Sequence, residues 1–282
     1  MPYRLLQYWI ANTAKARVRQ AVVQAAQKQL TPNATTAEPL PKTCDIGFVF
    51  ALGIESGCLE DRLQNRIVIQ GDGIKVLQGT LSGRGVVLML SGPGQKNVTK
   101  ATQGLIDGHK PSLIVSAGFA GGLNAAMKRS DILLANRVVL DHGGELPLDF
   151  PSNFAALAEQ RGVHQGSLVT TDHVIRLPRH KRELGEKYHA AAVDMETYYV
   201  AEVCQKHQIP FAAVRVINDT SDETLPNDIE HLLMQKSGAA QFGAALGAIL
   251  NRPGSVKDLY QLRENALVAS DRLAKFLANL VA

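Results

Sequence analysis

Glu196 and Asp219 are the residues of this chain best placed to do chemistry. The stretch from Val193 to Asp222, VDMETYYVAEVCQKHQIPFAAVRVINDTSD, predicts a turn and then a helix over about Met195–His207. Pro210 breaks it, and an apolar strand Phe211–Ile217 follows that ends on Asn218 and Asp219. In an open α/β sheet, ligands sit outside the carboxyl ends of strands, which is where Asp219 falls. Glu196 opens the helix, where the positive end of the dipole stabilises a carboxylate. Two carboxylates aimed at one crevice by rigid elements make an acid and an anchor. A structural alternative stays open at this stage: Glu196 as a helix-start charge and Asp219 as the N-cap of the next turn.

VDMET followed by PFAAVRVINDTSD resembles the V-E/D-M-E and P-F-x-x-x-R-x-I-S-D-x-x-D blocks of the nucleoside phosphorylase superfamily, in particular its 5′-methylthioadenosine/S-adenosylhomocysteine nucleosidase branch. Three further blocks agree in order and distance. IGFVFALGIE (Ile46–Glu55) resembles the opening strand and its glutamate-bearing loop, SGPGQKN (Ser91–Asn97) the S-G-x-G-K-x-N/A loop, and SAGFAGGL (Ser116–Leu123) the N-T-G-S-A-G-G-L segment. The resemblance covers about Asp45 to Leu250 and implies a three-layer α/β/α sandwich with a mixed central sheet.

The resemblance also implies a reaction, the release of adenine from a 5′-substituted adenosine through an oxocarbenium-like state, and a role for each matched residue. Asp219 is the general acid bridging N7 and the 6-amino group, where enzymes for 6-oxopurines usually carry Asn. Glu196 anchors the ribose hydroxyls and Met195 lies under the ribose, although a methionine there also suits plain core filling. Glu55 stands where phosphorylases carry a phosphate-binding arginine, so it can hold and deprotonate water. The later segment Ser116–Phe119 lacks both the arginine and the hydroxyl of the phosphate site, and a dianion is poorly held without such a cation. Three positions depart from the pattern: Asn218 replaces Ser, Phe119 replaces Ser near the ribose, and Val174 in TTDHVI replaces an aromatic that stacks on the base. Hydrolysis is the favoured expectation. A phosphate-dependent phosphorylase, including an adenosylhopane-cleaving enzyme, and a nucleoside-binding protein without turnover are the alternatives. No cofactor is expected, and the resemblance points to a homodimer.

Strands and helices must alternate to hold these residues. Apolar or β-branched runs predict strands at Ile46–Leu52, Ile67–Gln70, Gly85–Leu90, Leu113–Ala117, Ile132–Val139, Ser167–Thr171 and Phe211–Ile217. Helical spacing falls at Glu55–Gln64, Asn97–Gly108, Ser152–Glu159, Met195–His207, Asp228–Leu250 and an amphipathic stretch between Val256 and Leu277. SGPGQKN and SAGFAGGL are expected as Gly-rich turns; neither has phosphate-loop or dinucleotide spacing, which argues against a nucleotide cofactor. Arg215, inside the last strand, is expected to be the buried partner of a carboxylate. His142 and His173 are loop residues within possible reach of substrate.

The domain organisation expected is a basic amphipathic helix with a Pro-rich linker (residues 1–42), a catalytic domain (43–252) and a C-terminal helix (253–282). The first helix, over 4–30, can pack on protein or lie on an anionic membrane surface. At 282 residues, 45% hydrophobic and 20% charged, the chain is that of an ordinary globular protein. A net charge of +4, much of it contributed by the acid-free first 37 residues, and only 5% aromatics leave little for nucleic-acid binding. Three cysteines without metal-ligand spacing suggest a reducing, cytoplasmic setting and no metal. The N-terminus lacks the pattern of a secretory signal, and no apolar run is long enough to span a membrane.

Overall fold

Apolar and β-branched residues build the central strands, and these feed cores on both faces of one sheet. The computed structural model describes residues 44–71, 74–149, 154–226, 229 and 255–282. The helices expected over 4–30 and 228–250, Ile229 apart, lie outside the described residues. In chain order the elements are β1 (Ile46–Phe50), α1 (Gly53–Glu60), β2 (Gln64–Gly71), β3 (Ile74–Leu81), β4 (Arg84–Leu90), α2 (Gln95–His109), β5 (Leu113–Gly122) and β6 (Ile132–Leu140). There follow β7 (Glu145–Pro147), the single turn α3 (Ala155–Ala158), β8 (Val163–Thr170), α4 (Pro178–Tyr188), β9 (Ala192–Asp194), α5 (Thr197–Lys206), β10 (Phe211–Asp219) and α6 (Ser255–Val281).

The sheet is mixed and folds back on itself. β1 lies parallel to β4 and β5, with β3 and β2 added antiparallel at one edge. Beyond β5, β10 pairs parallel with it, β6 antiparallel with β10, β8 parallel with β6 and β9 parallel with β8. β9 then returns antiparallel to β5 at Gly121 and Gly122, which closes this half into a ring. Closure removes the free edges that a flat sheet would leave on this side.

Period-two alternation divides the core. Phe48, Phe50, Val86, Leu88 and Val214 face a layer made by α1 and α6, with Leu59, Leu273, Phe276 and Leu277 buried against them. Val49, Val87, Met89, Ile114 and Ala213 face the layer made by α2 and α5. This is the expected three-layer arrangement. The C-terminal helix is a structural wall: truncating the enclosed Phe276 or Leu277 to alanine should cost about 2–5 kcal/mol.

Four elements escape the sequence patterns: β3, β7, β9 and α4. The short β7 and β9 exist only through their neighbours. α4, PRHKRELGEKY, has one buried residue, Lys181, and so shows no apolar stripe. SAGFAGGL is a strand where a turn was expected. β5 runs through Gly122 because β10 pairs with it as far as Gly121 and β9 pairs with Gly121 and Gly122. Partners on both sides supply what glycine lacks in intrinsic strand preference.

Candidate active site

The carboxyl ends of β1, β5 and β10 meet the starts of α1 and α5, and a cavity of about 150 Å³ opens there. Glu55, Phe119, Val174, Met195, Glu196, Asn218 and Asp219 all line it. His173 lines it too, whereas His142 is exposed and paired with Asp141 at 2.7 Å.

Glu55 sits in the first turn of α1 and reaches back to the amides that the helix start leaves unpaired. Its Oε2 accepts from the N–H groups of Leu52 (2.8 Å) and Ala51 (3.1 Å). Its Oε1 accepts from Phe119 N–H at 2.9 Å, across the strand β5. Burial pushes the Glu55 carboxyl above the ordinary carboxylate range, and these three amides work against that rise. Gly118 makes the approach possible, since a Cβ there would lie 2.7 Å from Oε1.

Glu196 is the N-cap residue of α5, but its carboxylate turns to the loop after β4 and accepts from Gly94 N–H at 3.1 Å. Burial, then the nearby Asp194 and Glu55 charges, push it up to about 8. Asp194 caps the helix instead, accepting from Thr197 N–H at 3.0 Å. Asp194 is also the carboxylate that pairs with Arg215, which donates to it through Nε (3.0 Å) and Nη2 (2.9 Å) and to Ser116 Oγ at 2.8 Å. Behind Glu55 and Glu196, and bounded by Ser116 and Arg215, is a void of about 10 Å³, close to the space one water needs.

β10 shifts register against β5 between Ile217 and Asp219, so Asn218 is the extra residue of a bulge. A bulge re-aims side chains that a regular strand would send to opposite faces, and here both Asn218 and Asp219 line the cavity. Among the described residues, Asn218 Oδ1 is the one buried side-chain oxygen with no hydrogen-bond partner. Burial raises the Asp219 carboxyl, opposed by the ammonium of Lys181, whose Nζ lies 2.6 Å from Oδ2. Lys181, Asp194, Ser116 and Thr197 were not legible as site residues in the sequence. For the first there was no local signal, since its polar helix has no apolar stripe to mark which position turns inward.

The model of the phosphorylase superfamily matches residues 46–251. The chain belongs to that superfamily. Similar curated relatives are 5′-methylthioadenosine/S-adenosylhomocysteine nucleosidases. The one from Exiguobacterium sp. is 29% identical, over 63% of this chain and 86% of its own length. The one from Actinobacillus succinogenes is 30% identical, over 67% and 91%. Among solved structures, the Neisseria meningitidis nucleosidase in complex with methylthio-immucillin-A has a TM-score of 0.65 at 20% identity, covering 86% of this chain and 99% of that one. Futalosine hydrolase from Helicobacter pylori has a TM-score of 0.64 at 21% identity, with 85% and 97% covered. These structural likenesses place this superfamily member in the fold of the nucleosidases.

Proposed function

We propose that this protein is an N-ribosyl hydrolase that releases adenine from a 5′-substituted adenosine. The observation that carries the reading is a cavity lined by four carboxyl groups, Glu55, Asp194, Glu196 and Asp219, of which only Asp194 is paired with an arginine, and with neither lysine nor arginine among the described residues that line it. Such a wall suits a sugar that becomes cationic and is hostile to a phosphate dianion. The curated relatives carry the same activity in their names.

The roles assigned here are those the resemblance implies, and the lining of the cavity by these residues supports them. Asp219, whose carboxyl burial pushes towards the protonated form against the pull of Lys181, donates to N7 of the base as the glycosidic bond breaks. Glu196 accepts from ribose hydroxyls, an interaction that strengthens as positive charge develops on the sugar. Glu55 takes a proton from water; its raised pKa makes it a better base than an exposed glutamate. Met195 and Phe119 pack on the ribose, and Val174 and Asn218 on the base. We place the protein in the cytoplasm as a homodimer, in keeping with its three unpaired cysteines and with the resemblance.

Incubation with 5′-methylthioadenosine in phosphate buffer tests the reaction. Free 5-methylthioribose should form at a rate indifferent to phosphate, and Glu55→Gln should lower turnover by about 10²–10⁴-fold while the nucleoside still binds. A sugar 1-phosphate, or a rate that rises with phosphate, would make the protein a phosphorylase. Binding without any release of adenine would make it a nucleoside-binding protein.

A further inference from the structure

Lys181 is wholly enclosed, with 0% of its side chain exposed, and is the single buried residue of α4. Its Nζ meets three oxygens: Asp219 Oδ2 at 2.6 Å, the Thr220 carbonyl at 2.8 Å and the Glu223 carbonyl at 3.0 Å. Three acceptors consume three protons, which only the ammonium form supplies. Burying a charge that way costs more than burying a methionine of similar length, so packing alone does not account for a lysine here. The same loop is held from its other side by Arg129, which donates to the Asn218 carbonyl and to the Glu223 carboxylate. The charged groups facing Asp219 are therefore Lys181 from α4, Arg129 from the turn before β6 and Glu223 from its own loop.

We propose that Lys181 is the positioning residue of the acid: by holding Oδ2 as an acceptor it assigns the transferable proton to Oδ1 and fixes the plane of the carboxyl group. This rests on Asp219 being the general acid. As the base leaves, the Oδ1–H bond breaks and an N–H bond forms on the base. The electron pair stays on Asp219, whose new charge faces an ammonium already in place. Lys181 keeps its three protons throughout. A preorganised cation of this kind needs no rearrangement at the moment of transfer.

The test is a set of variants of the full chain turning over 5′-methylthioadenosine. Lys181→Met should lower kcat by about 10–100-fold with much less change in KM, since misplacing a reacting group by an ångström has that order of effect. Without the cation Asp219 ionises less readily, so the high-pH limb of kcat/KM should move up by about 1–3 pH units. If Lys181 acts only through Asp219, the same change in an Asp219→Asn background should cost no more than about twofold. An unmoved limb, or an equal loss in both backgrounds, overturns the proposal. Should Lys181→Met not fold by circular dichroism, Lys181→Gln takes the same measurements; loss of the fold in both makes Lys181 structural and also overturns it. An Asp219→Asn variant with near wild-type turnover sinks the underlying functional reading instead.

Discussion

Glu196 shows how one side chain can trade stability for chemistry. Its carboxyl is pushed from the ordinary 4.5 up to about 8, first by burial and then by Asp194 and Glu55. Between those values the folded chain holds a proton that the unfolded chain has released. Stability therefore falls as pH rises from about 4.5 to about 8, and the penalty is complete above that window. Glu196→Gln should remove it. At pH 9 the variant should melt higher than the parent, by about 2–4 °C for each kcal/mol recovered, with little difference at pH 5. Its turnover should fall most above about pH 8, where Glu196 carries the negative charge that stabilises a cationic sugar and the amide cannot. Thermal melts at the two pH values check this; an equal difference at both would mean that the carboxyl is not held protonated by the fold.

At the scale of elements, the strand β5 does more than carry hydrophobic residues. It brings Ser116 to Arg215 and gives the Phe119 amide to Glu55. Its glycines make room for two carboxylates: a Cβ on Gly118 would lie 2.7 Å from Glu55 Oε1, and one on Gly121 3.1 Å from Asp219 Oδ2. Gly118→Ala should consequently displace Glu55 while leaving the strand pairing intact. We expect turnover to drop about 100-fold or more, with stability lowered by only about 1–2 kcal/mol. Denaturant unfolding alongside kinetics separates the two. A variant that loses stability but keeps its rate would show that the Glu55 position is not critical. The turn expected at SAGFAGGL fails for the same reason that the strand works, since glycine there answers to neighbouring side chains and not to local propensity.

At the scale of the whole molecule, the described residues belong to one compact unit whose matched blocks all lie beyond Lys42. A chain beginning at Thr43 should fold and keep full turnover on a soluble nucleoside. Among the described residues no helix is long and apolar enough to cross a membrane. The basic amphipathic stretch at 4–30 bears the membrane proposal instead: only the full-length protein should float with anionic liposomes. Equal flotation of both chains, or of neither, removes that idea, and failure of the short chain to fold means that residues 1–42 are needed for folding.

The sequence by itself determined which residues could be chemical and which sheet would carry them. Asp219 at a strand end and Glu196 at a helix start follow from the local alternation of apolar and polar residues, which is sufficient to order strands and helices along the chain. Arg215 was legible too, because a charge inside an apolar strand must find a buried partner, and it finds Asp194. What only the tertiary structure decided are the contacts made across the fold. The amides gripping Glu55 come from the segment between β1 and α1 and from β5, the bulge that turns both Asn218 and Asp219 into the cavity is a matter of register with β5, and Lys181 reaches Asp219 from a helix with no apolar pattern. Periodicity records which face of an element is buried. It carries no record of which distant group that face will meet, so a lone buried lysine among surface charges becomes visible only once the chain has closed around it.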